Sequence, residues 1–376
     1  MSTKFTYKPD YAIHPGETLR EKLEELEMLP KEFAVRTSKP VKTISEILNG
    51  KSSITPDMAV QFEKVLCISA GFWLKHQANY NEFVAREKHK QEISKAIEWA
   101  KQFPYSQMAK LGLVKATRKI DEKAEELLGF FNISKSSAWE DIYLKQQTPV
   151  YFRISLQHSK NPYALSVLLQ MGDIEANKIQ AAEFNKTKLK EILPELKSIM
   201  VNEPDDFLSQ IQKICLLAGV KVIYTPILPK TVINGTVRWI NNNPVIQITD
   251  RYKKYDIFWF SLFHELGHII LHGNKKNIFL EEIQGFNKKD EKEIQADNFA
   301  ANLLLTNEEY SQIINELNLG KDIFETINYF AKQFNTHKDI IIGRILYKNK
   351  NLYKFGFLQK EINKIDFSEL FGLKIN

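Results

Sequence analysis

The sequence predicts a mainly α-helical protein with one small α+β domain toward its C-terminal end. Three observations carry this reading. Residues 1–87 break into short helical segments divided by turn residues, and residues 88–184 hold longer amphipathic stretches. Past about Asn185, β-rich runs precede an almost wholly apolar helical segment, FWFSLFHELGHIILHG. At 376 residues the chain exceeds one ordinary domain. The boundaries read from these shifts are 1–87, 88–184, 185–348 and a tail, 349–376.

The first region reads as a five-helix bundle. HPGETLREKLEELEML carries Leu19, Leu23 and Leu26 at helical spacing, KEFAVRT is a short second helix, and PVKTISEILNG is a third with Ile44, Ile47 and Leu48 inward and Gly50 as a stop. Thr55 and Pro56 open a fourth as N-cap and first-turn proline, running through Met58, Ala59, Phe62 and Leu66; the last spans roughly Ala70 to Ala85. Short helix, tight turn and second short helix is a helix-turn-helix, with PVKTISEILN as its recognition helix. Val41, Lys42, Ser45 and Glu46 are then the residues facing base edges, while Lys39 and Lys51 reach phosphates. Charge is polarised accordingly. Arg36, Lys39, Lys42 and Lys51 cluster with only Glu46 among them, and Glu21, Glu24, Glu25 and Glu27 lie on the preceding helix. The expected partner is double-stranded operator DNA, read as a palindrome by a homodimer.

This segment resembles the Xre-type helix-turn-helix of HigA-like antitoxins through HPGETLREKLEELEM, SEILNGKSSIT and ISAGFWLKHQANY, over about His14 to Asn81. Ser38 stands where a turn glycine is frequent in that family, and Pro40 where a capping Ser or Thr is usual. The resemblance implies a repressor of its own operon, paired with a cognate toxin.

Between Glu87 and Phe184, EISKAIEWAKQF, IDEKAEELLGFF, SAWEDIYL and YALSVLLQMGDIEANKIQ are amphipathic and predict a helical spacer or sensor region. Trp99, Phe130, Phe131 and Trp139 are read there as core. No phosphate-binding glycine loop, metal cluster or repeat is present in this stretch.

From Asn185 the helical segments KLKEILPELKSIM and DFLSQIQKICLLAG lead into VKVIYTP, INGTVRWI and PVIQITD, the last two separated by Asn241, Asn242 and Asn243. A small sheet ahead of the apolar helix follows. On that helix His264 and His268 lie four residues apart on one face, so both imidazoles reach a single ion, and Glu265 stands beside it as general base. The pattern points to a zinc peptidase. Gly273 closes the helix. KEIQADNFAANLLL supplies a second helix whose Glu293, Ala296, Asp297, Ala300 and Leu304 share a face; its small residues permit close approach, making Glu293 the third ligand, 25 residues after His268. His272 competes for that role because it continues the i, i+4, i+8 row, although its place at the helix end also suits a dipole partner. Asp297, one turn beyond Glu293, suits a carboxylate that orients a ligand histidine. Arg238 is taken as an oxyanion donor. A sheet edge beside the metal would take an extended peptide by strand addition, which indicates a protein substrate. HKDIIIGRILYK adds a closing helix, and the tail carries no readable motif.

FWFSLFHELGHIILH followed by EIQADNFAANLLL resembles the ImmA/IrrE family of metallopeptidases from about Asn185 to about Tyr310, and NGTVRWI with NPVIQITDRYKKYDIFWF fits the same pattern. The resemblance implies a zincin-like fold and a gluzincin-like zinc site of His264, His268 and Glu293, with Glu265 catalytic. It also implies helix-turn-helix repressors as substrates. Thr306 stands where the family usually has proline, and Gln295 where members often have a second glutamate.

Composition bounds the remainder. A formal net charge of +6 is modest for this length and says little by itself about nucleic acid. With 26% charged residues, no apolar run of about 18 and no signal-like stretch in MSTKFTYKPD, a cytoplasmic protein without a membrane partner is expected. Cys67 and Cys215 sit in separate apolar patterns and define neither a disulfide framework nor a CxxC site. The combined expectation is a transcriptional regulator with a Zn2+-dependent endopeptidase domain, cleaving a repressor or itself. The alternative is a non-enzymatic antitoxin or repressor whose metal is structural or sensory.

Overall fold

The computed structural model describes residues 11–144, 161–231, 233–273, 279–282, 291–348 and 355–367. The N-terminal MSTKFTYKPD and parts of the tail, 349–354 and 368–376, therefore lie outside the described residues. The chain divides into two compact units, residues 1–98 and 99–376.

In the first unit, α1 (Pro15–Glu25), α2 (Pro30–Arg36), α3 (Val41–Leu48), α4 (Pro56–Leu66) and α5 (Ala70–Ala100) follow one another, the last two residues of α5 being counted with the second unit. Prolines sit at the first positions of α1, α2 and α4, where the missing N–H is no loss. Thr55 caps α4 by accepting from Met58 N at 3.3 Å, a contact that contributes about 1 kcal/mol. Leu19, Phe33, Ile44, Ile47, Phe62 and Trp73 are fully buried together, so the spacing of apolar residues in each short helix meets in one core. The α2–α3 turn places Ser38 at φ +53°, a left-handed conformation in which glycine carries no penalty. Pro40 precedes α3 without a side-chain capping bond. The last helix runs on to Ala100 rather than stopping near Ala85. No proline or glycine interrupts the chain between Gly71 and Pro104, and exposed pairs such as Arg86 with Glu82 and Lys90 with Glu87 support the extension.

In the second unit, α6 (Tyr105–Lys110), α7 (Ile120–Phe130), α8 (Ser136–Tyr143) and α9 (Pro162–Lys178) surround an aromatic core. Trp99, Phe130, Phe131 and Trp139 are all buried, and the Trp139 and Tyr163 rings stack at 4.7 Å. Trp139 Nε1 donates to Ser166 Oγ on α9, and Gln170 Nε2 donates to Phe130 O, so α9 is tied to these helices on one side.

Its other side meets a four-stranded sheet of β1 (Lys221–Thr225), β2 (Ile233–Ile240), β3 (Asn243–Thr249) and β4 (Phe279–Glu282), in the order β1-β3-β2-β4. The β1–β3 pair is parallel and the others are antiparallel. The β2–β3 hairpin turns through Asn241 and Asn242, both at positive φ, as a tight two-residue connection requires. Asn243 belongs to β3 and is buried; its amide donates to Ala182 O and Gly219 O.

Helices α10 (Lys186–Glu191), α11 (Leu193–Asn202) and α12 (Phe207–Leu217) precede the sheet. After it come α13 (Tyr255–His272), α14 (Glu291–Leu304), α15 (Asn307–Asn318), α16 (Ile323–Gln333) and α17 (Lys338–Lys348). Helix α13 is the centre of this core: Trp259, Leu262, Phe263 and Leu266 are fully buried, each worth about 1.5–3 kcal/mol of transfer free energy. A helix apolar around its whole circumference has to be enclosed. Thr306, at the position where the resembled family usually has proline, forms a reciprocal capping box with Glu309 that begins α15. Residues 355–367 pack into the same core through Leu358, Ile362, Ile365 and Phe367, and Tyr255 N donates to Asn363 O at 3.0 Å. That part of the expected tail is thus integral to the domain.

Candidate metal centre and DNA-facing helix

Helix α13 buries its polar residues as well as its apolar ones. His264, Glu265 and His268 are each exposed by 2% or less. His264 Nε2 and His268 Nε2 lie 2.9 Å apart, and the Glu293 carboxylate from α14 reaches them at 3.2 and 3.4 Å. One donor atom from each of these three residues falls within 4.8 Å of the other two. The approach of α14 depends on small residues at the crossing. A Cβ on Gly267 would stand 3.0 Å from Phe299 and 3.4 Å from the Ala296 backbone, and Ala296 and Ala300 are fully buried.

The donor chemistry fits a divalent cation. Asp297 Oδ1 lies 2.9 Å from His264 Nδ1, so the carboxylate accepts a hydrogen bond from Nδ1–H and leaves the Nε2 lone pair facing the cluster. Burial lowers the His268 pKa and favours its neutral, ligating form. Burial alone would raise the Glu293 carboxyl, but hydrogen bonds from the His264 and His268 rings, when these carry a hydrogen on Nε2, prevail and bring it down to about 2. Two imidazoles and one carboxylate make up the set expected around zinc. His272 does not join them: its Nε2 lies 3.3 Å from Lys292 O. Gln295 is exposed and donates to Glu291.

The Glu265 side chain lies against β2. A Cβ on Gly235 would stand 2.7 Å from Glu265 Oε1, so the strand leaves room for this carboxylate only by having no side chain there. The β2–β4 register is irregular between Ile233 and Thr236, at this same point. The glycine inside the INGTVRWI strand pattern was the available signal, and sequence reasoning passed over it.

Arg238 is a correction. Gly235 and Val237 face α13, whereas Arg238 points to the opposite side of the sheet, as period-two alternation dictates. There its guanidinium, 4% exposed, donates to Asp173 Oδ1 at 2.7 Å, Gln247 Oε1 at 2.8 Å and Leu169 O at 2.9 Å. It holds α9 to the sheet and cannot serve an oxyanion. Gln247 Nε2 to Leu168 O and Lys221 Nζ to Ala176 O complete the same polar seam.

On α3, Val41, Lys42, Ser45 and Lys51 of the following turn are exposed, and Glu46 is partly so. Lys42 Nζ stands 3.9 Å from Glu46 Oε1, a loose pair open to solvent. Lys39 is drawn into an ion pair within the fold. Its Nζ pairs with Asp57 Oδ2 at 2.6 Å and its side chain is only 17% exposed, so it joins the α2–α3 turn to the start of α4.

A helix-turn-helix module, and an HExxH helix joined by a carboxylate from a second helix beside a small sheet, together define a DNA-binding regulator domain carried with a metallopeptidase-type domain. The chain belongs to the helix-turn-helix family through residues 19–73, and its residues 215–344 form an IrrE N-terminal-like domain of the M78 peptidases. Relatives cover the first part. An uncharacterized HTH-type transcriptional regulator YddM of Escherichia coli (strain K12) is 36% identical over 63 residues, 17% of this chain and 67% of the relative. Virulence-associated protein A of Dichelobacter nodosus is 42% identical over 69 residues, 18% of this chain and 68% of the relative. Among solved structures, the Pseudomonas aeruginosa antitoxin HigA with the higBA promoter is 31% identical, covering 22% of this chain and 91% of that one, with a TM-score of 0.22. Among the described residues no helix is long and apolar enough to cross a membrane.

Proposed function

We propose that the chain is a transcriptional regulator that binds double-stranded operator DNA through its helix-turn-helix and cleaves a protein, a helix-turn-helix repressor or a copy of itself, with a zinc-dependent peptidase domain. The observation that carries the enzymatic half is a buried Glu265 beside the convergence of His264, His268 and Glu293. A purely structural metal would need the three ligands and not the glutamate. His264, His268 and Glu293 would hold the zinc, which when bound supplies Lewis acidity toward water and the scissile carbonyl. Glu265 accepts the proton of the attacking water and returns it to the leaving amine. Asp297 keeps His264 in the tautomer that faces the cluster. An extended substrate would add to the sheet at β4, an edge strand paired on its other side with β2. Lys42, Ser45 and Val41 offer the exposed face for bases, and Lys51 a phosphate contact; Lys39, paired with Asp57, would have to exchange that partner to reach a phosphate.

The test combines both halves. Zinc-loaded protein is incubated alone and with candidate repressors, fragments are read by mass spectrometry, and operator binding is titrated by mobility shift at several salt concentrations. Fragments together with a salt-dependent shift are expected. Intact DNA binding with no cleavage under any condition would leave a repressor without peptidase activity. Gly235→Ala should separate catalysis from folding, since the three atoms nearest the new methyl, at 2.7–3.3 Å, all belong to the Glu265 side chain rather than to backbone. Cleavage is expected to fall about tenfold or more through displacement of the carboxylate, with zinc content unchanged. Wild-type turnover in this variant would show that the contact with β2 does not set the position of Glu265.

A further inference from the structure

We infer that His272 is a positioning residue for the third metal ligand: its imidazole N–H holds the carbonyl of Lys292, the residue before Glu293, and so sets where the Glu293 carboxylate meets His264 and His268. The inference rests on the metal-site reading above. Helix α13 presents His264, His268 and His272 at i, i+4 and i+8, but only the first two turn a ring nitrogen into the cluster. The His272 ring lies 5.9 Å from that of His268, and its Nε2 is 3.3 Å from Lys292 O. A carbonyl only accepts, so Nε2 carries the hydrogen and has no lone pair to give to an ion on that side.

The geometry explains why such a contact is needed. Glu293 stands in the first turn of α14, where the helix has the fewest intrahelical hydrogen bonds and its ends fray. The packing that fixes α14 against α13 lies farther along, where Gly267 meets Ala296 and Phe299. Ahead of Glu293, the His272 bond to Lys292 ties the two helices together, so the ligand is bracketed from both sides. The Glu293 side chain is 20% exposed, against 2% and 1% for the two histidines, and it is therefore the ligand least enclosed by neighbours. A group that orients a ligand in this way typically changes metal affinity by about 10–100-fold.

Two variants of the full chain test it, His272→Ala and His272→Gln, the second keeping an N–H donor near the position of Nε2. Zinc affinity is measured by competition with a chromophoric chelator, folding by thermal unfolding of the zinc-free protein, and the donor set by the visible absorption of the cobalt-loaded protein. His272→Ala is expected to bind zinc about 10–100-fold more weakly, with unchanged unfolding of the zinc-free protein and the wild-type cobalt spectrum. His272→Gln should recover most of that loss. Wild-type affinity in His272→Ala overturns the inference, as does equal weakening of both variants. Complete loss of zinc with an altered cobalt spectrum in His272→Ala would make His272 a ligand, which also overturns it. A wild-type protein that binds no zinc sinks the metal reading itself, and is thereby distinguished from failure of the positioning role.

Discussion

Glu265→Gln is expected to lower proteolysis by roughly 10²-fold or more while leaving zinc content and DNA binding near wild type. The amide matches the carboxylate in size and helix propensity, so the enclosed space against Gly235 is filled as before, and only the capacity to accept a proton is lost. His264, His268 and Glu293 keep their donor atoms, and α3 belongs to the other compact unit. Elemental analysis, fragment mass spectrometry and a mobility-shift titration on the same preparation check the three parts. Full proteolytic activity in this variant would remove the proposed hydrolytic mechanism. If cleavage is the means by which DNA is released, Glu265→Gln should also retain its DNA complex under conditions in which wild type loses it; equal release without fragments would point to an allosteric route.

The second large effect concerns the metal. His264→Ala, His268→Ala and Glu293→Ala are each expected to lose most of about one zinc per chain, because every one of them supplies a donor atom to the cluster. Asp297→Ala should retain zinc with an affinity lowered by about 10–100-fold, since it acts on His264 Nδ1 rather than at the cluster. A thermal readout complements elemental analysis. With zinc at about 100 times its Kd the wild type gains about 2.7 kcal/mol of stability, and a ligand variant gains almost none at the same concentration. Unchanged zinc in Glu293→Ala, with loss in Asp297→Ala, would overturn the choice of third ligand.

Legibility in the sequence followed range along the chain. The spacing of Leu19 and Leu23, of Ile44, Ile47 and Leu48, and of His264 and His268 is imposed by helix geometry within a few residues, and the structure places each set on one helical face. The end of α5 is not legible in composition, because exposed charged residues resemble a boundary while still forming helix, and only Gly and Pro are decisive breakers. Lys39 illustrates a different limit. Its proximity to the recognition helix suggested a phosphate contact, yet Asp57, 18 residues later, sits where it can claim the ammonium. No local rule reveals that pairing.

The sequence by itself determined the helical modules, the HExxH helix and the two imidazoles on its face, because periodicity and side-chain type are local properties that any helical conformation must express. Tertiary structure decided the rest. It brought Glu293 across to the histidines through small residues at the α13–α14 crossing, and opened space for Glu265 at Gly235. It also turned Arg238 away from the site and onto Asp173, 65 residues earlier in the chain. A strand presents alternate residues to opposite faces, and which face receives the HExxH helix depends on what packs there. Here α9 covers the face that carries Arg238 and α13 the face that carries Gly235, so the choice between a structural arginine and a catalytic one was made by packing between segments distant in the chain.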